Sequence, residues 1–489
     1  MNAADRIRTS CLIFIFGFLL LGSVNGQVSY SDQAVRAALE LNFKQADSLL
    51  SHSSEDIHSV SWIRSQSFQE FLKVLLRQND AGYRHFCIAM EQWLNGLNKL
   101  PDFTLGRDAA KCEIWLYKAV LSSQFSDYQK SAWSTYTAWK IYKHHQSGMT
   151  PGERDKFAGI LLLIFEQVPN QYHQYLKILG IRTEGADGLV LLQRYYRSAL
   201  PGSLEQLEGV LLLLSAANGF NKHPDEIDLW IQEGVAGMPS NILVDYLIAL
   251  YLLKSGNNES ALQHLLEHTA PDPHLFPYWY YQVGRMKLYR HDRDASVWLE
   301  QFLRSGKDLN LHKSAWQKLS WYHLLSAQTE AYYIDRQQVL NEGPSVHPAD
   351  AEAVDEVTGG QSEDPRRVAL RILFDGGYYR LCIHKGMAAL QVITEPVIRA
   401  EVHYRLARSF QQIKDYPSAL VHFQKVIDAR QFVDQYWLPN SALQMGLMYL
   451  DMHQLEQAHK YLRLCLKLNH YGYRQGIRRE AETALRRID

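Results

Sequence analysis

Tyr404-Arg-Leu-Ala-Arg-Ser-Phe410, followed closely by Tyr416-Pro-Ser-Ala-Leu-Val-His-Phe423, decides how this chain folds. Ala407 and Ala419 stand twelve residues apart, and Phe423 follows four later. The polar turn Gln412-Ile-Lys-Asp-Tyr416 lies between them. A spacing of four places two side chains on one face of a helix. Two antiparallel helices approach closely only where each offers a small side chain, because bulky ones force the axes apart. The stretch therefore predicts a helix hairpin with Ala407 on one arm and Ala419 on the other.

The same spacing recurs outward from this point. Gly446, Ala458 and Leu462 repeat it next door, across the turn Asp451-Met-His-Gln454. Ala249, Ala261 and Leu265 repeat it further upstream, as do Ala34, Ala46 and Leu50. Gly284, Ala295 and Leu299 show it with one residue fewer in the turn. Alternation of β-branched residues is nearly absent. The fold class expected is all-α, a solenoid of helix hairpins with irregular N-terminal and middle helices.

These residues resemble the tetratricopeptide repeat family, whose unit carries a small residue at its eighth position, Ala at its twentieth and an aromatic or apolar residue four later. The best match is Glu401–Leu468. Ala407 and Gly446 are 39 residues apart, against 34 in the family, so extra residues fall near Gln431–Pro439. Leu373-Phe-Asp-Gly-Gly-Tyr-Tyr379 before the Tyr404 unit looks like exported tetratricopeptide proteins of Bacteroidota. Ile181-Arg-Thr-Glu-Gly-Ala-Asp-Gly188 gives a softer similarity to the eukaryotic tetratricopeptide family associated with inclusion-body clearance. The resemblance implies a groove for protein partners and no catalytic residues.

Residues 1–26 read as a signal peptide. Arg6 and Arg8 precede the apolar run Cys11–Leu21, and Val24-Asn25-Gly26 places small or aliphatic residues where a signal peptidase reads, so cleavage is expected before Gln27. The alternative is an uncleaved anchor, which the run is short for. No later stretch is apolar and long enough to span a membrane. The expected location is periplasmic or extracellular. Residues 27–340 form the expected N-terminal repeat array and 367–489 a C-terminal repeat block with a basic capping helix. Residues 341–366 are polar, acidic and rich in Pro and Gly, which predicts an exposed loop or linker between the two.

Net charge is −1, and −2 once residues 1–26 are removed. A near-neutral chain has no global electrostatic reason to bind nucleic acid. Cys87, Cys112, Cys382 and Cys465 remain after cleavage, without CxxC spacing; they are expected as buried thiols, with disulfides permitted by export.

The one catalytic-looking motif is His264-Leu-Leu-Glu-His268, which has the order of an inverted zincin: two His on one helix face for zinc and Glu267 to activate water. It also falls on the second helix of the Ala249–Ala261 unit, where the spacing expects packing. His144-His145 suits a helix C-terminus. Tyr278-Trp279-Tyr280-Tyr281 and Tyr436-Trp437 are aromatic clusters. Trp279, Tyr280 and Trp437 are the candidate platforms for sugars or peptides, against a reading as repeat core. No P-loop, GxGxxG or GxSxG is present, and no cofactor is expected. The function expected is a non-enzymatic scaffold that takes a protein or peptide in its concave groove. A glycan-binding protein and a zinc hydrolase are the alternatives.

Overall fold

The computed structural model describes residues 29–52, 59–168, 173–181, 187–220, 222–359, 364–432, 435–468 and 474–488. The predicted signal peptide lies outside them. The described residues form helices and turns with no strand. Along the chain come α1 (Tyr30–Leu39), α2 (Phe43–His52), α3 (Val60–Arg77), α4 (Asp80–Lys99), α5 (Arg107–Gln124), α6 (Tyr128–His145) and α7 (Pro151–Glu166). The middle holds α8 (His173–Ile178), α9 (Gly188–Ser198), α10 (Leu204–Phe220), α11 (Glu226–Glu233), α12 (Ile242–Lys254) and α13 (Asn258–Leu266). Then follow α14 (Pro277–Arg290), α15 (Ala295–Ser305), α16 (His312–Leu325), α17 (Thr329–Asn341) and α18 (Pro348–Thr358). The C-terminal helices are α19 (Pro365–Asp375), α20 (Tyr379–Ala389), α21 (Pro396–Gln412), α22 (Tyr416–Asp428), α23 (Trp437–Asp451), α24 (Leu455–Leu468) and α25 (Arg474–Leu485). None of the described helices is long and apolar enough to cross a membrane.

Most neighbours in this order pack as antiparallel hairpins, and eight of the hairpin turns are built alike. Each has one left-handed residue: Leu41, Ser126, Gly256, His291, Ala327, Gly377, Lys414 and His453. The next amide donates to the carbonyl five residues back, as in Asn42 to Ala37, Asp127 to Ser122 and Gln454 to Tyr449. This is the Schellman closure, which satisfies carbonyls the helix end leaves over. It also fixes the register of the spacing. The left-handed residue falls seven after Ala34, Ala249, Gly284, Ala407 and Gly446, and four or five before the small residue of the next helix.

The close approach is real at these positions. A Cβ on Gly284 would lie 2.8 Å from Leu299 Cγ and 2.9 Å from its backbone nitrogen. On Gly446 it would lie 2.7 Å from Leu462 Cγ. The third residue of the pattern therefore rests on the first. Ala34, Ala46, Ala249, Ala261, Ala295, Ala407, Ala419, Phe423, Ala458 and Leu462 are all buried.

Three hairpins escape the twelve-then-four reading. Ser126 is flanked by Ala119, Ser131 and Thr135, the same spacing carried by a hydroxyl. Around Gly377 the order is Leu370, Cys382 and Gly386, with the small residue moved to the last position. Around Ala327 it is Ser320, Tyr332 and Arg336, where only the first position is small. The chain is more regular than its apolar residues alone disclose.

The expected loop at 341–366 needs correction, because α18 runs through it. Pro348 opens the helix at a position where its missing N–H costs nothing. Asp350 and Ala353 are fully buried. The Asp350 carboxylate accepts from the amides of Leu311 (2.7 Å) and Ser314 (2.8 Å), so it caps α16 from another element. Burial pushes Asp350 up to about 6. Nor does the core stop at this segment: one buried apolar cluster continues from Ala34 to Val368 and Ile372. The basic helix α25 packs Ile477, Ala481, Ala484 and Leu485 into the last core. Cys87, Cys112, Cys382 and Cys465 are free thiols, the last three buried.

A charged cluster joins the N-terminal helices. Lys156 of α7 donates to Glu113 of α5 at 2.7 Å and to Glu208 of α10 at 3.1 Å. Arg64 of α3 reaches Glu113 at 2.8 Å and Glu153 at 3.6 Å. Two cations thus face three carboxylates. Burial pushes Glu208 up to about 7, offset in part by Lys156. Protonation of Glu208 balances the cluster and leaves it a hydrogen-bond partner for Tyr195.

Two outcomes are expected. Gly284→Ala is destabilising in chemical denaturation: overpacking costs about 1–3 kcal/mol, more than the roughly 0.5–1 kcal/mol that Ala gains over Gly inside a helix. A stabilised Gly284→Ala would show that the hairpin has slack. The second concerns pH. Folded Glu208 keeps its proton to about 7, whereas an unfolded glutamate releases it near 4.5. The folded state binds more protons in that window, so this contribution to stability is present below it and is lost as pH rises through it. Unfolding free energies of wild type, referred to Glu208→Gln, should fall between those two pH values; a flat difference contradicts the assignment.

Candidate functional site

The first helices of successive hairpins face inward and enclose a cavity of about 600 Å³. One wall is apolar: Leu75 and Leu76 from α3 with Leu247, Leu250 and Leu253 from α12. The rest of the lining is largely aromatic and cationic, with Tyr281, Arg285 and Tyr289 from α14, Tyr379 from α20 and Arg408 from α21. Residues more than 300 positions apart in sequence therefore meet across one space. A volume of this size is typical of a ligand site lined mainly by apolar groups with a few placed polar ones.

The α14 wall follows from helical spacing. Tyr278, Tyr281, Arg285 and Tyr289 stand three, four and four apart, which makes one stripe. The Arg285 guanidinium lies 5.7 Å from the centre of the Tyr281 ring and 6.0 Å from that of Tyr289. Tyr281 exchanges a hydrogen bond with Ser314 of α16 at 3.1 Å. Tyr278 donates to Gln78 at 2.5 Å, tying α14 to the end of α3. Lys254 donates to the carbonyls of Ala217 and Asn218 at 3.2 and 3.1 Å, closing the C-terminal end of α10. The side-chain oxygen of Gln282 and the Nε atoms of Arg285 and Arg408 have no hydrogen-bond partner among the described residues. Burial, and then the charges of Lys318 and Arg285, hold the His347 ring down to about 4, so it is neutral at pH 7.

The candidates read from the sequence lie elsewhere. His264 Nδ1 is 3.3 Å from Asp245 Oδ1, and His268 Nε2 is 2.8 Å from Asp245 Oδ2. Ser240 donates to the same carboxylate at 2.8 Å. Burial alone would raise Asp245, but the hydrogen bonds from His264, His268 and Ser240 hold it well below the usual carboxylate range. Glu267 sits past the end of α13, exposed, where Gln263 donates to it at 3.2 Å. Both histidines are thus committed to one partner on α12, and Glu267 is not aimed between them. The zincin reading is corrected on this geometry: the motif is a packing contact between the two helices of a hairpin. Among the described residues no group of three or more His, Cys, Asp or Glu side chains is placed to hold a metal ion. His145 ends α6 and contacts Asp108 at 3.0 Å.

The aromatic platforms are corrected too. Trp279 is 1% exposed and packs against Tyr246, Phe276 and His268. Trp437 is buried. Tyr280 is half-buried, with its hydroxyl on the Pro271 carbonyl at 2.7 Å and its ring 5.6 Å from Trp298. None offers a free flat face for a sugar. Tyr278 and Tyr281 of the cavity belong to the same cluster as Trp279 and Tyr280, but neighbours in sequence point to different sides of a helix. Reading Tyr278, Tyr281, Arg285 and Tyr289 as a stripe is the signal that finds the wall.

No protein-family model matches the chain, and no curated protein does. Among solved structures it is similar to a human IFIT1 dimer with PPP-AAAA: 13% identity, 99% of this chain and 98% of that chain covered, TM-score 0.32. It is also similar to the APC/C hetero-tetramer Cut9–Hcn1: 12% identity, 94% of this chain and 95% of that chain covered, TM-score 0.24.

Proposed function

We propose that the chain is a non-enzymatic interaction module that holds a peptide segment of a partner protein in its inner cavity. The observation that carries this reading is the mixed lining of one cavity: leucines from α3 and α12 border the same 600 Å³ or so as tyrosines and arginines from α14 and α21. Apolar side chains of an extended peptide suit the leucines, and its carbonyls or acidic groups suit the tyrosines and arginines. The Arg285 and Arg408 guanidinium groups border the cavity without an ion pair to any described carboxylate, so their charge is open to such acceptors. The burial of Trp279 and Trp437 takes away the two tryptophan platforms on which a glycan reading rested. We also infer export, supported by Arg6, Arg8, the Cys11–Leu21 run and the residues before Gln27.

A photo-crosslinking residue at Leu250, on the inner wall, is expected to join one discrete protein in the native envelope. The same residue at Val297, which is 61% exposed on α15, should not capture it, and Arg408→Glu should abolish capture from Leu250. Equal capture from both positions, or none from Leu250, removes the reading. N-terminal sequencing of the protein recovered from producing cells should begin at Gln27; a chain that keeps Arg6 and Arg8 contradicts export by cleavage.

A further inference from the structure

A second, smaller cavity of about 280 Å³ adjoins the first, sharing Tyr289, Ala349 and Asp375 with it. Its character is different. The wall is polar and carries Lys318, Arg371 and Arg405, faced by Glu352 and Asp375. Across the two cavities six cationic side chains meet two acidic ones, because Lys254, Arg285 and Arg408 line the first.

The three cations of the small cavity are not equally engaged. Arg371 is fully used: it donates to Glu352 at 2.9 Å and to Glu356 at 2.5 Å, and stacks over Trp321 at 4.5 Å. Lys318 is 7% exposed and has no described carboxylate within ion-pair distance, although its charge acts on the buried Asp350. Its ammonium donates to Ser314 Oγ at 2.9 Å and lies 5.3 Å from the Trp321 ring centre. Arg405 is also 7% exposed. Its nearest carboxylate is Glu401 at 3.7 Å, which Arg367 already holds at 2.5 Å. The Arg405 Nε and the side-chain nitrogen of Gln317, itself 3% exposed, have no hydrogen-bond partner among the described residues. Burying a cation without a full set of acceptors is costly, and so is burying an unused donor. Two such cations and an idle amide line one small space.

We propose that this cavity is an oxyanion subsite that takes a phosphate group, either a phosphate ester carried by the bound segment or free orthophosphate. Lys318 and Arg405 supply two charges for a dianion, and Gln317 supplies a further donor. The donors come from α16 and α21, on different sides of the space. That arrangement suits an anion with oxygens in several directions better than a planar carboxylate with two. Tyr289, Trp321 and Tyr436 also border the cavity. Asp375, on the edge shared with the first cavity, is the acid that opposes an anion here, since Glu352 is tied to Arg371.

The subsite deepens the peptide reading and can fail separately from it. Titration calorimetry of the full chain with orthophosphate, at matched ionic strength in chloride, probes the subsite alone. A phosphoserine peptide and its unphosphorylated twin probe the two cavities together. Orthophosphate is expected to bind and to raise the melting temperature. Lys318→Met and Arg405→Gln should each weaken it by at least about tenfold, with helical circular dichroism retained by Lys318→Met. Asp375→Asn should tighten it, which a merely structural role for Asp375 does not predict. No binding beyond the chloride control, or equal affinity in Lys318→Met and Asp375→Asn, overturns the subsite. Peptide binding that ignores phosphorylation, together with no orthophosphate binding, keeps the first cavity and overturns the second. Orthophosphate binding without peptide binding keeps the subsite for a free anion and removes the peptide reading. A 5′-phosphorylated RNA that bound more tightly than the phosphoserine peptide would overturn the assignment to a protein ligand.

Discussion

A leucine on one helix lies directly on a glycine or alanine of the helix before it, and no methyl group fits between at the glycines. Gly284 under Leu299 and Gly446 under Leu462 set the distance between the arms of their hairpins. Gly159 under Leu192 does the same for α7 and α9, where a Cβ would come within 2.8 Å. Once the arms are that close, the connecting turn has few solutions. A left-handed residue and a five-back hydrogen bond close the turn in eight places. Several of these residues are not glycine, including His291, Lys414 and His453. A left-handed non-glycine residue costs roughly 1–2 kcal/mol, and the packed arms on either side hold it there.

This constraint explains how far the sequence could be read. Small residues separated by twelve are visible in one chain because the geometry demands them, and they disclose the all-helical hairpin architecture. The same geometry tolerates Ser131 in place of Ala, or moves the small residue to Gly386, and there the pattern fades although the hairpin stands. The segment around Pro348 was opaque for another reason. Its composition is that of a loop, and only two of its residues, Asp350 and Ala353, are fully buried. Asp350 is buried because two amides at the start of α16 need an acceptor, a demand located far away in sequence.

The site was less legible than the fold, and the physical reason is similar. His264-Leu-Leu-Glu-His268 looks like a metal motif because two histidines one turn apart share a face. What they share it with is Asp245, nineteen and twenty-three residues upstream on the paired helix, and no local motif reports that. Trp279 drew attention as a large ring, yet large rings beside Gly284 are where the hairpin core is filled. The cavity is instead lined by residues that are ordinary taken singly. Leu75, Leu250, Tyr281, Arg285 and Arg408 come together only because the array curves back enough for α3 and α21 to border one cavity.

Curvature also accounts for the charge of that space. A near-neutral chain gives no warning of it, because its acids are placed on other surfaces or tied to other partners. Glu113 and Glu208 are enclosed with Lys156 in the N-terminal core. Glu401 is drawn toward Arg367, and Glu352 and Glu356 toward Arg371. The pairings of Glu401 and Glu352 remove acceptors from the neighbourhood of Arg405 and of the small cavity. In a low-dielectric interior the remaining positive charges act on each other and on whatever enters far more strongly than they would in water. His347, held down to about 4 chiefly by burial and further by the charges of Lys318 and Arg285, adds no positive charge of its own at pH 7. Net charge describes how a chain behaves at a distance; the sign of a cavity is set by which side chains the fold leaves unpaired inside it.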